Sequence, residues 1–482
     1  MIAGRASREA IASAGDRVLV IRPDGHRVTG SELLARTQAL ALALRRAGLA
    51  GQRIGLWAQN SGAAIEAHLA AEWIGATRVP VDPAAPPAEA AAVFGAAGVA
   101  GVVTDAAHFA QAPAGALVHD DEAPLAVLGS HGPGSLPEQE VDPDATHLLY
   151  PRMASAGEFL AVPISYANWA ACMAINAALY RSGHYGDGFG DDECYLTVQQ
   201  IMHGTGMLGT FPFLHMGLPQ AVLPRFDANA VLEAAVRYRA TATFFVPGML
   251  TRLADAVAEA GLDGPGPLRR ILYGGAPIAA ADLIRAIEIL GPEGTVLVQV
   301  YGRFEGGWPL AVLGSADHRE LAEGRSRHAG SCGRPIPQTE LRIRPVPGQQ
   351  AEWGELSVRN EMVVPGWEDP DGWCGLGDLA RVDDDGYLYL GGRLDGMINT
   401  GSYHVYPGEV EEAVAAMPGV QAVLVRGESD PVWGQAVIAY VVPAPDAPGD
   451  LGVQIRDGLR ARLAAYKIPK RVITVSALEP GS

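Results

Sequence analysis

From its start to about residue 300 the chain alternates segments of helical period with short apolar runs of strand type. No other feature limits the fold so strongly. Strands that are apolar throughout, each followed by an amphipathic helix, build parallel sheets covered by helices on their faces. Thr29-x-x-Glu32 reads as a capping box, with Leu33, Leu40 and Leu44 on the apolar face behind it. The pattern predicts strands over 53–57, 77–81 and 100–104 and a helix over 62–74. Farther on it predicts buried strands over 242–246, 270–273 and 296–300, with helices over 249–260 and 277–290. The run 147–150 reads as a strand and the residues after Ser165 as a helix, which leaves 151–165 as a connecting loop.

Past about residue 310 the reading changes to short strands over 341–344, 355–359, 380–382 and 387–390, with Asp385-Gly386 as a hairpin turn. An α+β tail follows, with helices over 409–416 and 453–465 and strands over 422–426 and 436–442. The expected fold class is therefore α/β. Residues 1–392 form a large unit of helix-covered mixed or parallel sheets with a small β-barrel-like part. Residues 393–396 are a hinge, and 397–482 a small unit.

A chain of 482 residues with 48% hydrophobic content has room for more than one core. A net charge of -18 argues against nucleic acid and anionic membranes as partners. No apolar run reaches the length of a membrane span, and the first residues lack the apolar core of a secretory signal. Cys172, Cys194, Cys332 and Cys374 show no metal-ligand spacing and read as reduced thiols of a cytoplasmic protein.

Several short motifs occur in order. Met202-His203-Gly204-Thr205-Gly206 is followed by Tyr273-Gly274-Gly275-Ala276-Pro277 and Tyr301-Gly302-Arg303-Phe304-Glu305. Then come Gly377-Asp378, Gly392-Arg393-Leu394-Asp395, and the run from Gly401 to Glu411. Each alone is open to a packing reading. Together they sit where open α/β sheets bind ligands, at strand ends. Glycines there let backbone approach a flat ligand. An Asp beside an Arg suits a ribose diol, and a Glu just past a strand suits Mg²⁺ against a phosphate.

In this order the motifs resemble the adenylate-forming superfamily: acyl- and aryl-CoA synthetases, adenylation domains of nonribosomal peptide synthetases, and luciferases. The resemblance implies a large N-terminal domain, a small mobile C-terminal domain, and transfer of an acyl group from an adenylate to a thiol. It implies that Gly274, Gly275, Ala276 and Pro277 line the adenine and acyl pocket, that Tyr301 stacks on adenine, and that Asp378 and Arg393 hold the ribose. It further implies catalytic roles for His203, near the acyl carboxylate, and for Glu305, associated with Mg²⁺. Asp395 falls on the hinge, and Gly401 and Ser402 on the thiol tunnel. The residues Phe245, Met249, Gly307 and Trp308 are the candidates for shaping the acyl pocket.

The stretch 151–161 departs from the family's phosphate loop. Glycines, hydroxyls and a lysine are expected there, because successive N–H groups and a positive charge hold polyphosphate. Only Arg152, Ser155 and Gly157 remain able to serve. Pro151 removes a donor, Glu158 adds negative charge, and Phe159-Leu160-Ala161 stands where Pro-Lys-Gly is expected. Phe304 and Leu376 replace two threonines, Ser402 and Tyr403 replace a glycine and an acidic residue, and the sequence stops short of the family's terminal Gly-Lys step. Lys467 and Lys470 match ordinary basic residues.

AMP or an acyl-adenylate, and CoA or a phosphopantetheine arm, are the candidate ligands, while ordinary handling of ATP and Mg²⁺ is in doubt. The candidate partners are a small carboxylic acid or its activated form, and a carrier protein or partner enzyme. Three readings stay open: a divergent acyltransferase working on an adenylate or thioester, a conventional AMP-forming acid–thiol ligase, and a noncatalytic binding protein.

Overall fold

The structure, a computed structural model, describes residues 3–121, 136–137, 140–153, 159–291, 294–346, 349–394, 396–401, 403–445, 447–476 and 478. The expected alternation folds into two sheets. The larger has nine strands, and six of them run parallel in the order Val296–Arg303, Arg270–Gly274, Ala242–Phe245, Tyr195–Thr197, Gln220–Val222 and Val18–Ile21. Antiparallel strands close both of its edges. Ala242–Phe245 and Arg270–Gly274 are buried at every residue, as strands covered on both faces must be. The second sheet has six strands and ends in the antiparallel pair Thr146–Met153 and Phe159–Ser165.

One core takes side chains from both sheets and from the helices Gly30–Arg46, Gly62–Trp73, Tyr166–Arg181 and Gly204–His215, so these helices fill the space between the sheets. The Thr29 capping box is formed: the Glu32 amide donates to Thr29 Oγ1 and the Thr29 amide to Glu32 Oε2. A second core lies on the far face of the larger sheet, under Ala228–Tyr238, Pro247–Glu259 and Ala280–Leu290.

The late β part is a four-stranded antiparallel meander, Glu340–Pro345, Gly354–Arg359, Cys374–Val382 and Leu388–Arg393. From Ile398 onward the strands belong to a separate five-stranded sheet packed by Pro407–Ala415 and Leu451–Leu459.

Two expectations are corrected. The stretch 151–165 is not a plain loop, because Pro151 to Met153 continue one strand and Phe159 to Ser165 form its antiparallel partner before the helix starts. Pro151 pairs with Ala161 and is tolerated because the strand on its other side, Thr77–Pro80, meets this one at Leu148, which leaves Pro151 at an edge where no further donor is needed. The last helix ends at Leu459 instead of running to 465. Farther along, the Ala464 amide donates to Glu89 Oε2 at 2.7 Å, a bond to the large unit that a continuing helix would forbid.

Candidate active site

The strand ends of both large sheets and one face of the small unit enclose a cavity of about 150 Å³. Two corners of this region carry the chemistry.

The first is built from the edge of the larger sheet and the meander. Asp378 and Arg393 are cross-strand partners. Arg393 Nη1 donates to Asp378 Oδ1 at 3.0 Å and to the Leu376 carbonyl at 2.6 Å. The Tyr301 hydroxyl donates to Asp378 Oδ2 at 2.6 Å, and burial, then the Asp378 charge, pushes that phenol well up. Each carboxylate oxygen of Asp378 keeps a further lone pair for a diol. Gly377 sits at φ +68, and a β-carbon there would lie 3.0 Å from Arg393 Nη2. Gly274 packs so closely that a β-carbon would come within 2.1 Å of the Val300 carbonyl oxygen. Gly275, at φ +85, accepts at its carbonyl from Asn399 Nδ2 of the small unit, 2.9 Å away. Ala276 and Pro277 follow it, and the helix begins three residues past Pro277, at Ala280, not at Pro277. These residues fit an adenosine moiety.

The second corner is walled by both units. His203 is the N-cap residue of Gly204–His215, and its Nε2 lies 3.1 Å from Asp82 Oδ2. The contact lacks the alignment of a hydrogen bond, and among the described residues Nε2 has no hydrogen-bond partner. Burial pushes the Asp82 carboxyl up, but the facing His203 charge and hydrogen-bonding groups outweigh it, so the acid is held below its usual range. The Tyr403 ring stands edge-on to His203 at 5.0 Å and stacks on Tyr466 at 4.0 Å. Beneath them Lys467 Nζ donates to Glu89 Oε1 at 2.5 Å and to Glu409 Oε1 at 2.7 Å.

All three of these charged side chains are nearly buried, and burial raises the Glu409 carboxyl despite Lys467. Lys467 is thus no ordinary surface base but a buried tie between the two units. Sequence could not pair it with Glu89, which lies 378 positions away. Asp82 did have a signal, an acid two residues past the parallel strand Thr77–Pro80.

The other candidate residues divide. Trp308 lines the cavity and packs against Phe244. Phe245 does not face it: strand alternation turns Phe244 toward Trp308 and Phe245 into the opposite core against Phe226, where Met249 also packs. Gly307, at φ +107, is pressed against Met362. Gly401, at φ +66, donates to the Trp433 carbonyl at 2.7 Å. Phe304 packs on Tyr150 at 4.1 Å and covers Gly204.

Glu305 is buried, and its Oε1 accepts from Arg303 Nη2 at 3.2 Å. As arranged, Glu305 Oε1 is paired with a guanidinium; among the described residues no cluster of three metal-ligating side chains occurs. Ser155, Gly157, Asp395 and Ser402 lie outside the described residues, as does the side chain of Arg152.

The ordered motifs agree with the comparisons. Residues 7–367 match the model of the AMP-binding enzyme family, and 409–480 match the AMP-binding enzyme C-terminal domain. The chain belongs to the AMP-binding enzyme family, within the adenylate-forming superfamily.

A feruloyl-CoA synthase of Amycolatopsis sp is 31% identical over 481 residues, 94% of this chain and 91% of that protein. The medium/long-chain-fatty-acid–CoA ligase FadD8 of Mycobacterium tuberculosis is 33% identical over 302 residues, 59% of this chain and 51% of its own length. Among solved structures, the amide bond synthetase McbA from Marinactinospora thermotolerans aligns with a TM-score of 0.84 at 30% identity, over 98% of this chain and 96% of that one. The two-part α/β architecture is that of the superfamily. Nothing in these relatives supports the doubt about ATP and Mg²⁺. Among the described residues no helix is long and apolar enough to cross a membrane.

Proposed function

We propose that the protein transfers the acyl group of an acyl-adenylate to a small amine. The observation that carries this reading is Tyr403, stacked on Tyr466 and set against His203. A long pantetheine arm needs an open channel at that loop, and an aromatic pair narrows it. A compact amine reaches the cavity without such a channel. The similarity to an amide bond synthetase over nearly the whole chain supports the same reading.

The chemistry follows from the Asp82–His203 contact. The amine nitrogen attacks the carbonyl carbon of the mixed anhydride, the carbon–oxygen bond to the phosphate breaks, and AMP departs with the electron pair. The surplus proton on nitrogen passes to the His203 imidazole, whose positive charge the Asp82 carboxylate offsets at 3.1 Å. The ribose stays on Asp378 and Arg393 throughout.

The sequence of the stretch 151–161 adds an order of efficiency: a preformed acyl-adenylate is consumed faster than free acid with ATP and Mg²⁺. The test incubates the protein with aryl and alkyl acids, supplied free with ATP–Mg²⁺ or as acyl-adenylates, and with either amines or CoA. Products are read by mass spectrometry. Amide product supports the proposal. CoA thioester without amide would return the chain to the acid–thiol ligase reading that the feruloyl-CoA synthase similarity favours. Strong ATP–pyrophosphate exchange would remove the predicted order.

A further inference from the structure

Among the described residues the buried arginines Arg22, Arg78 and Arg270 each engage partners through two or more nitrogens, although the Nε of Arg22 and of Arg78 has no hydrogen-bond partner; Arg303, at the cavity, does so through one. Arg270 donates to the carbonyls of Tyr185, Gly186 and Asp187 and to Glu193. Arg393 donates to Asp378 and to Leu376. Arg303 is 7% exposed and lines the cavity, yet among the described residues its one hydrogen bond is to Glu305 Oε1. Its Nε is buried with no partner. A guanidinium carries a rigid fork of N–H donors, and a desolvated one left mostly unsatisfied is costly unless an anion completes it.

We propose that Arg303 is an anion-binding residue that receives the phosphoryl group of AMP or of the acyl-adenylate. Arg303 lies two residues beyond Tyr301, whose hydroxyl rests on the diol-facing Asp378, so it stands next to the ribose corner. Of the lysines and arginines lining the cavity among the described residues, Lys467 is committed to Glu89 and Glu409, which leaves Arg303. Phe304, next in sequence, has no hydroxyl to offer a phosphate. Glu305 holds the guanidinium in place when no phosphate is bound. The identity of the anion rests on the acyl-adenylate reading, but the test needs no acyl acceptor.

Isothermal titration compares AMP with adenosine in EDTA for the wild type, Arg303→Met, Arg303→Lys and Glu305→Gln. A charge-assisted contact predicts that the wild type prefers AMP by about tenfold or more. Arg303→Met abolishes that preference with adenosine affinity unchanged, Arg303→Lys keeps part of it, and Glu305→Gln increases it. An unchanged AMP-to-adenosine ratio in Arg303→Met overturns the proposal, as does an equal loss of both ligands in a variant whose melting curve matches wild type. If Arg303→Met does not fold, an unaltered ratio in both Arg303→Lys and Glu305→Gln overturns it instead. The choice between amide and thioester product is independent of this ratio, so each idea fails by its own measurement.

Discussion

The corner of Asp378, Arg393 and Tyr301, proposed to hold the ribose, and the wall around His203, proposed to receive the acceptor, are built in different ways. Asp378 and Arg393 face each other across one antiparallel ladder, and Tyr301 reaches them from an adjoining strand. Their geometry is set by strand register within the large unit. The acceptor wall joins His203, Asp82 and Glu89 of the large unit to Tyr403, Tyr466 and Lys467 of the small one. Its geometry exists only while the two units are docked. A corner fixed by register suits a group held through the whole reaction, and a docked wall suits a step that must wait for closure.

The sharpest way to break this comparison is His203→Ala. Removing a general base costs on the order of 10²–10⁴-fold in rate, so acyl transfer should fall by that factor while AMP binding, by calorimetry, stays unchanged. If AMP binding falls in parallel, the two corners are not separate.

Asp378→Ala comes next. It removes a charged partner of the nearly buried Arg393 guanidinium, and breaking such a pair costs up to about 3–5 kcal/mol. The melting temperature should drop, and the AMP-induced shift should vanish. A surviving shift would place the ribose elsewhere.

Glu89→Gln has a smaller effect, about 1–3 kcal/mol for a weakened charged contact, and it acts on docking. Protease sensitivity of the segment around 393–398 should rise while AMP affinity holds. Tyr403→Gly tests the same wall from the ligand side: CoA thioester should become a detectable product. If CoA use is no better than in wild type, the aromatic pair is not the barrier.

The smallest expected effect is one of pH. The His108 imidazole is raised, first by its hydrogen bond to Asp105 and against burial, and its Nε2 contacts the Pro83 carbonyl beside Asp82. A group raised on folding stabilises the folded state fully below its unfolded value, near 6.5. That contribution is lost as pH climbs through the raised folded value. Melting temperature should therefore decline modestly above pH of about 6.5, and His108→Gln should flatten the decline. An identical slope in both proteins would exclude His108.

The stretch 151–161 shows where reading the sequence fell short. Lying between the strand 147–150 and the helix after Ser165, it reads in sequence as part of a connecting loop. The antiparallel pairing from Leu148 to Met153 with Phe159 to Ile164 is a tertiary choice that local pattern does not announce. Phe244 and Phe245 make a similar point: two adjacent aromatics look alike in sequence, and only the sheet's orientation sends one toward Trp308 and the other to the far core. Tyr301, Asp378 and Arg393, singled out through the ordered motifs and the family resemblance, do meet in the structure through hydrogen bonds on Asp378.

The sequence by itself determined the alternating α/β architecture of about the first 300 residues, since apolar runs alternating with amphipathic helices build helix-covered sheets. It also determined the family, through motifs whose residue types the nucleotide's chemistry requires. Only the tertiary structure decided that Lys467 ties Glu89 to Glu409, that Asp82 backs His203, that Tyr403 closes on Tyr466, and that Arg303 is left with open donors. Each of these depends on side chains far apart in the chain meeting at one depth below the surface. There, charge and hydrogen bonding become decisive because water is excluded.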